Sequence, residues 1–461
     1  MRIDQVAAMT AGTLYNTDAA CRTFRGVSID SRTLVPGELF VAINGANHDG
    51  HEFIGDALGR GAAGILAELT YPRLAQIPGQ AAVVAVPDSH QAMMTLARCY
   101  REQLRAAFVG ITGSNGKTTT KEYTACLAAA VTGDVYRSPG NLNNLFGVPL
   151  AIFGIPADTK VAILELGIST MSEMPVLARM VRPQVAVFTN VGASHLENFG
   201  SIEKVAQAKL ELARLADEDT ALVVNADDPI LLEQAEKIRT RLTTFAIDNR
   251  ATFTPDQIDI RPGGARNVTI EGNTFRLALP GRHQVYNLLA AYAAVRSLGY
   301  SFNQIETEAV HLTSGGMRGQ TVTHGRLTLV VDCYNANPVS MNAGLDAFEE
   351  MAASGRRILV LGDMLELGES EAALHRELGE RLIDYDCDYI ALIGPLSRHA
   401  YDVLKAQGFG ADHVGHFASA TEAARALSAQ VQDDDLLYLK ASRGIGLEAV
   451  VDSLRAAGGE I

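Results

Sequence analysis

No Cys-x-x-Cys pair occurs in this chain. Its five cysteines, Cys21, Cys99, Cys126, Cys333 and Cys387, are scattered. That spacing argues against a zinc site and against a disulfide framework, and it fits reduced thiols in a cytosol. Lys and Arg form no long run, and the net charge is −14. A binder of phosphate backbones needs a basic face, so duplex nucleic acid is not an expected partner. The acidic balance does not forbid a small anionic substrate, which a local loop and a few cations can hold. No apolar run approaches the length of a membrane span. The first residues, Met-Arg-Ile-Asp-Gln-Val, carry no apolar signal region. A cytoplasmic protein without a membrane span is expected. Internal repeats and low-complexity tracts are lacking as well. Over 461 positions, 47% of residues are hydrophobic and 20% charged, which suits roughly three globular domains with real cores.

The most informative stretch is Gly110-Ile111-Thr112-Gly113-Ser114-Asn115-Gly116-Lys117-Thr118-Thr119-Thr120. An apolar run, Ala106 to Val109, precedes it and reads as a buried strand. Residues Glu122 to Ala130 follow and read as a helix. Strand, Gly-rich turn, Lys-Thr and helix form a phosphate-binding loop. Glycines let backbone N–H groups converge on a polyphosphate, and the helix presents its positive end. Lys117 is placed against the outer phosphates, and the Thr118 hydroxyl against Mg²⁺. Ile111 stands where the strict pattern has Gly, so the loop is a variant.

Three regions follow from the rest of the pattern. Residues 1–88 read as a small α/β unit, with strands near 39–43, 63–67 and 81–86 and a short helix at 51–58. Residues 89–314 hold a helix at 90–104, the phosphate loop, and strands at 161–165, 185–189 and 221–225. Short β-rich runs between helical stretches predict a mainly parallel sheet covered by helices on both faces. Residues 241–280 alternate in short runs and predict an antiparallel patch, and 285–298 predicts an apolar helix. Ser314-Gly315-Gly316-Met317-Arg318-Gly319 is a hinge candidate. Residues 315–461 then restart the α/β alternation as a Rossmann-like unit. Its strands are at 327–331, 357–361, 389–393 and 436–439, and its first helix opens at Pro338.

Open parallel sheets bind ligands at strand ends. Glu165 ends one strand, and His195 follows another in Asn-Val-Gly-Ala-Ser-His-Leu-Glu (190–197). Both project near the loop if their strands neighbour the loop strand, where an oxygen donor suits Mg²⁺ better than an imidazole does. The sequence leaves a structural role open for each. Lys209 fits a surface lysine as well as a site. Asn287 is a hydrogen-bonder on a helix face or a base reader. Arg318 is a surface arginine or a cation poised for a transferring phosphate.

These segments, in this order, resemble the Mur ligase family. The loop at 110–120 is similar to that family's ATP loop. Leu-Glu-Leu-Gly (164–167), the segment 190–197 and Ala-Lys-Leu-Glu (208–211) follow in the family's order. Further likeness lies in Ser-Ile-Asp-Ser-Arg-Thr (28–33), Gly-Glu-Leu-Phe-Val-Ala (37–42) and Asp-Cys-Tyr-Asn-Ala-Asn-Pro-Val-Ser-Met (332–341). Leu-Gly-Asp-Met-Leu-Glu-Leu-Gly (361–368) and Lys-Ala-Ser-Arg-Gly (440–444) complete it. The family often has Ser where Cys333 stands and Asn where Gln284 stands.

The resemblance implies three domains, binding a UDP-substrate, ATP and a dipeptide. It implies ATP-dependent ligation of D-alanyl-D-alanine to UDP-N-acetylmuramoyl-tripeptide through an acyl phosphate. A monomer is the expectation, although the sequence does not fix the oligomeric state. By the same implication Gly113, Ser114, Asn115, Gly116, Lys117, Thr118 and Thr119 hold ATP, and Asn287 and Asp332 contact its adenosine. Arg318 reaches the phosphates. Thr118, Glu165 and His195 serve Mg²⁺, and Lys209 is carbamylated to help hold a second ion; Lys117, His195 and Lys209 carry catalysis. Ser28, Ser31, Arg32, Asn141, Asn144, Asn335 and Asp363 bind substrate. The nearest alternative is a sister ligase that adds one amino acid. No Asp-Asn-Pro-Arg motif occurs, and Tyr334-Asn335-Ala336-Asn337-Pro338 points away from that branch. A phosphate-loop switch or motor is the alternative from another class. Whether the tripeptide ends in lysine or diaminopimelate is open.

Overall fold

The computed structural model describes residues 1–16, 19, 21–45, 48–78, 81–303, 310–312 and 316–457. Each region of the sequence pattern builds one large sheet, and the middle region adds a small three-stranded one. The first sheet has five strands in the order Thr13–Tyr15, Ala82–Val86, Gly64–Glu68, Leu39–Val41, Val27–Ser28. All its neighbours are parallel except Thr13–Tyr15, which runs antiparallel to Ala82–Val86. The helix Ser89–Gln103 starts where the Asp88 carboxylate accepts the Gln91 N–H at 2.8 Å. One stripe of it, Ala92, Met93 and Leu96, enters the core of the first unit. Another, Met94 and Ala97, enters the core under the central sheet. One amphipathic helix therefore splices two hydrophobic cores.

The central sheet is parallel throughout, with six strands in the order Thr243–Phe245, Ala221–Asn225, Val185–Phe188, Ala107–Thr112, Val161–Glu165, Val135–Arg137. Its middle strands are fully buried apolar runs, as a parallel sheet with both faces covered requires. The strand that feeds the phosphate loop lies between Val161–Glu165 and Val185–Phe188, and Ile111 is in register with Glu165. The chain's order along the sheet reverses here, which is where such sheets place a ligand.

Two expectations for this region are corrected. The loop helix spans Lys117–Thr132 rather than opening at Glu122. Gly116 at φ +80° caps it, so Lys117 and the threonines form the first turn. The antiparallel patch comprises Gln257–Ile260, Arg266–Ile270 and Asn273–Leu277 only. Thr243–Phe245, placed in that patch by its short polar run, instead extends the parallel sheet beside Ala221–Asn225.

The third sheet has the order Gln320–His324, Leu327–Val331, Leu436–Lys440, Arg357–Gly362, Tyr389–Ile393, Val414–Phe417. The first pair is an antiparallel hairpin and the rest is parallel. Helix Pro338–Glu349 opens at Pro338 as predicted, with Asn337 as its cap. Residues 314 and 315 of the expected hinge lie outside the described residues. Within the rest of it, Met317 and Gly319 are left-handed at φ +57° and +73°.

Candidate active site

A cleft of about 810 Å³ lies between the central and third sheets, within the size range of small-ligand sites. Its floor is the phosphate loop. Ser114 N donates to Asn190 O at 2.9 Å, and Asn115 N donates to Asn190 Oδ1 at 2.9 Å. Thr189 Oγ1 donates to Asn115 O at 2.6 Å. The segment after strand Val185–Phe188 thus clamps the loop from one side. Gly113 sits at φ +150°, and a Cβ there would meet Thr189 Oγ1 at 1.9 Å, so only glycine fits.

Lys117 Nζ donates to the carbonyls of Gly113, at 2.7 Å, and Ser114, at 3.1 Å. It therefore curls over its own loop. Burial pushes its pKa down to about 8; Glu165 opposes that shift and Arg318 adds to it. Thr118 Oγ1 donates to Glu165 Oε2 at 2.7 Å, and Asn143 Nδ2 donates to Glu165 Oε1 at 2.9 Å. Lys121 is buried and donates to Ser138 O and Gly140 O, fastening the 138–144 turn to the loop helix. Lys209 is 2% exposed and lines the cleft. Burial first, and then the neighbouring Lys117 charge, hold its pKa well below the ordinary lysine value. Among the described residues no carboxylate pairs with it. His195 also lines the cleft, and burial lowers its pKa against the opposing pull of Glu366.

The opposite wall comes from the third unit. Asp332 Oδ2 accepts from Lys440 Nζ at 2.6 Å and Tyr438 Oη at 2.8 Å. Lys440 also donates to Asn335 O. The Arg318 guanidinium lies 4.0 Å from the centre of the Tyr334 ring. Asn287, from helix Arg282–Ser297, is buried beside the loop; its Oδ1 accepts from Thr120 Oγ1 at 3.3 Å. Gln284 Oε1, at the position where the resemblance has Asn, accepts from Tyr123 Oη at 3.0 Å and so ties this helix to the loop helix. One direct bond crosses from wall to floor, Asn337 Nδ2 to Asn115 Oδ1 at 2.8 Å.

The cleft gathers Ser114, Asn115, Gly116, Lys117, Thr119, Asn144, Glu165, His195, Lys209, Asn287, Arg318, Asp332 and Asn335. Gly113 and Thr118 lie just behind that surface. Other expected site residues are elsewhere. Ser28, Ser31 and Arg32 sit in the first unit, away from the cleft. There Ser28 Oγ donates to Asp30 O, and the Arg32 fork grips the Asp30 carboxylate at 2.9 and 2.7 Å. Asn141 is exposed and does not line the cleft; Asn143, two residues on, holds Glu165 instead. Asn144 lines the cleft, but its Oδ1 accepts from Phe146 and Gly147 N–H at a helix start.

Asp363 is corrected most sharply. It is 1% exposed, and its oxygens accept from Leu396 N at 3.2 Å and Ser397 N at 2.7 Å. It supports a turn rather than lining the cleft. Asp363→Ala is therefore expected to destabilise the third unit by about 1–3 kcal/mol for each N–H it strands, with little change in substrate KM. A urea midpoint and steady-state kinetics check this. A raised KM with unchanged stability would return Asp363 to the binding surface.

The sequence pointed to neither Asn143 nor Asn337 nor Lys440. Asn143 sits between two asparagines that composition cannot tell apart. Asn337 and Lys440 stand inside the quoted motifs 332–341 and 440–444, which was the available signal.

The chain matches three family descriptions in succession. They are Mur ligase family, catalytic domain, at 23–101; Mur ligase middle domain, at 111–295; and Mur ligase, glutamate ligase domain, at 317–443. A UDP-N-acetylmuramoyl-tripeptide–D-alanyl-D-alanine ligase of Bacillus subtilis is 35% identical over 98% of this chain and 98% of its own. A crystal structure of MurF from Acinetobacter baumannii superposes with a TM-score of 0.86 at 25% identity, over 99% of this chain and 98% of that one. MurF ligase from Thermotoga maritima, in complex with ADP, gives 0.79 at 27% identity, over 94% and 98%.

Proposed function

The chain belongs to the Mur ligase family, and from that premise we propose that it joins D-alanyl-D-alanine to UDP-N-acetylmuramoyl-tripeptide at the expense of ATP. The observation that carries this is the cleft itself. A phosphate loop with Lys117, the buried Lys209 and a carboxylate form the floor and one side, and a second unit brings Arg318, Asp332 and Asn335 to the facing wall. Relatives of that printed activity align from end to end. A carboxylate is a poor acyl donor. Its oxygen attacks the terminal phosphorus of ATP, the bond to ADP breaks, and an acyl phosphate forms. The dipeptide amine then attacks the acyl carbon and loses a proton, and inorganic phosphate leaves as the amide forms.

In that sequence Lys117 and the loop N–H groups hold the outer phosphates, and Arg318 adds charge from the facing wall. Asn287 and Asp332 are assigned to adenosine. The acyl phosphate must be kept from water, which a cleft closed between two units favours. Asn335 and Asn144, which line the cleft, are assigned to the peptide side, and Ser28, Ser31 and Arg32 are assigned to the uridine nucleotide in the first unit.

The donor set fits Mg²⁺. Thr118 and Glu165 supply adjoining oxygens, and among the described residues no cluster of three His, Cys, Asp or Glu forms a closed cage. An ion held by one carboxylate and a hydroxyl needs substrate phosphates to complete its shell, as Mg²⁺ sites commonly do. Thr118, Glu165 and His195 are the residues proposed to hold it, with carbamylated Lys209 serving a second ion. Bound there, Mg²⁺ neutralises charge that develops during phosphoryl transfer.

A single copy is the proposed working unit, since both walls of the cleft come from one chain. A cytoplasmic setting is part of the proposal. Among the described residues no helix is long and apolar enough to cross a membrane.

An ADP-release assay over a panel of UDP-peptides and D-dipeptides tests the function. Release is expected only when a UDP-muramoyl tripeptide and D-alanyl-D-alanine are both present. Equal release with a UDP-muramoyl dipeptide and one amino acid would select the sister ligase. Release without either substrate would select a switch or motor.

A further inference from the structure

We propose that Glu366 is a positioning residue, lent by the third unit, whose carboxylate holds the Nδ1 side of His195 and so decides which ring nitrogen is left for the cleft. This rests on the assignment of His195 to the site given above. Glu366 belongs to the segment 361–368, and no role in the proposed reaction has so far fallen to it. His195 Nδ1 lies 2.5 Å from Glu366 Oε2. Among the described residues no hydrogen-bond partner meets that nitrogen, so Glu366 approaches it as a close charge rather than as a formed hydrogen bond. A carboxylate at that distance still favours a proton on Nδ1 by charge.

The segment that carries Glu366 is built to aim it. Glu366 is left-handed at φ +64°, and Gly368 follows at φ +59°. A non-glycine residue stays in that region only where its surroundings hold it. Here they hold it from three sides of its own unit. Met364 N donates to His375 Nε2 at 3.0 Å, and the fully buried His375 turns Nδ1 to Glu371 O at 2.7 Å. Leu365 N donates to Ser442 Oγ at 2.9 Å. Asp363, just before, is fixed by the turn at 396–397. Only then does the segment cross to the central unit, where Glu197 N donates to Glu366 O at 3.3 Å. Gly368 packs there so closely that an added Cβ would lie 3.2 Å from Glu197 Cα.

A negative charge held against one imidazole nitrogen favours the proton there and so sets the tautomer at the other. With the proton on Nδ1, Nε2 keeps its lone pair. His195 comes from the central unit and Glu366 from the third, so this arrangement exists only while the two are docked. Docking is thereby coupled to completion of the site.

Long-range ¹H–¹⁵N spectra of histidine-labelled protein without nucleotide, at fixed pH, test this directly, with His195→Ala assigning the signal. The wild type is expected to show the Nδ1–H tautomer, and Glu366→Ala to lose it. Glu366→Gln, which keeps the shape but removes the charge, should lose most of it too. In turnover, Glu366→Ala should cost about 10- to 100-fold in kcat, with little change in the KM for ATP and no recovery by Glu366→Gln. In a His195→Ala background, Glu366→Ala should cost nothing further. Glu366→Gly, which suits the left-handed backbone, is the second truncation should the alanine variant fold poorly. An unchanged tautomer in a folded truncation, or fully additive losses, would overturn the proposal. A crippled His195→Ala beside an unimpaired Glu366→Ala would sink it alone. Wild-type turnover in His195→Ala would sink the His195 assignment and this proposal together.

Discussion

Lys117→Ala is expected to lower turnover by on the order of 100- to 1000-fold, the usual cost of removing one preorganised group that meets developing charge. The fold should survive. Among the described residues no carboxylate forms an ion pair with Lys117; its Nζ rests on the carbonyls of Gly113 and Ser114. Those bonds keep the ammonium over the loop before any phosphate arrives, so little reorganisation is needed at the moment of transfer. A circular dichroism melt should be close to that of the wild type. Near-normal kcat at saturating ATP would remove the loop from the reaction.

The same residue gives a pH dependence with a definite sign. Its folded pKa is depressed to about 8, whereas an unperturbed lysine sits near 10.4. Between these two values the unfolded chain binds more protons than the folded one, so this group's contribution to stability rises with pH through that window. Function runs the other way. Above about pH 8 the free enzyme loses the Lys117 cation, so kcat/KM for ATP should fall there, while kcat at saturation falls later because bound phosphates hold the proton. A flat kcat/KM from pH 7 to 10 would show that Lys117 stays charged throughout.

How far the site was legible follows from how local each contact is. The phosphate loop at 110–120 is a local device, and its glycines and lysine announce it without help from the rest of the chain. Glu165 and His195 were legible one step further out, because a parallel sheet brings the ends of neighbouring strands together. The turn at 138–144 was not, since choosing Asn143 over Asn141 to hold Glu165 depends on how that turn is seated by Lys121. Contacts across the cleft were illegible for a different reason. Asn115 and Asn337 are 222 residues apart, and nothing local pairs them. Asp363 misled because an acidic residue at a strand end looks like a ligand, whereas here it accepts two backbone N–H groups. Edge strands escaped on composition. Gln320–His324 and Val414–Phe417 are part polar and only partly covered, so neither shows the apolar run that marked the central strands.

Lys209→Ala separates two opposite pictures of one side chain, and a loss of activity comparable to that in Lys117→Ala is expected. As an ordinary cation Lys209 would repel the nearby Lys117, and removing it would do little harm or even help. Its surroundings favour another state. The side chain is 2% exposed, and burial and the Lys117 charge both disfavour the ammonium form. A neutral amine attacks carbon dioxide, forming an N–C bond and releasing one proton, so an uncharged side chain becomes an anionic carbamate. That anion would balance Lys117 and offer oxygens to a divalent ion. In Lys209→Ala the vacated space should accept a small carboxylate, so acetate or a short homologue is expected to restore part of the activity, in a saturable way. Methylamine should not. Independently of turnover, ¹³C-labelled bicarbonate should give a carbamate signal in the wild-type protein that is missing from the variant. Rescue by the amine would refute the carbamate and give the part to the amine itself, and wild-type activity in Lys209→Ala would refute it and leave Lys209 without a part in the reaction.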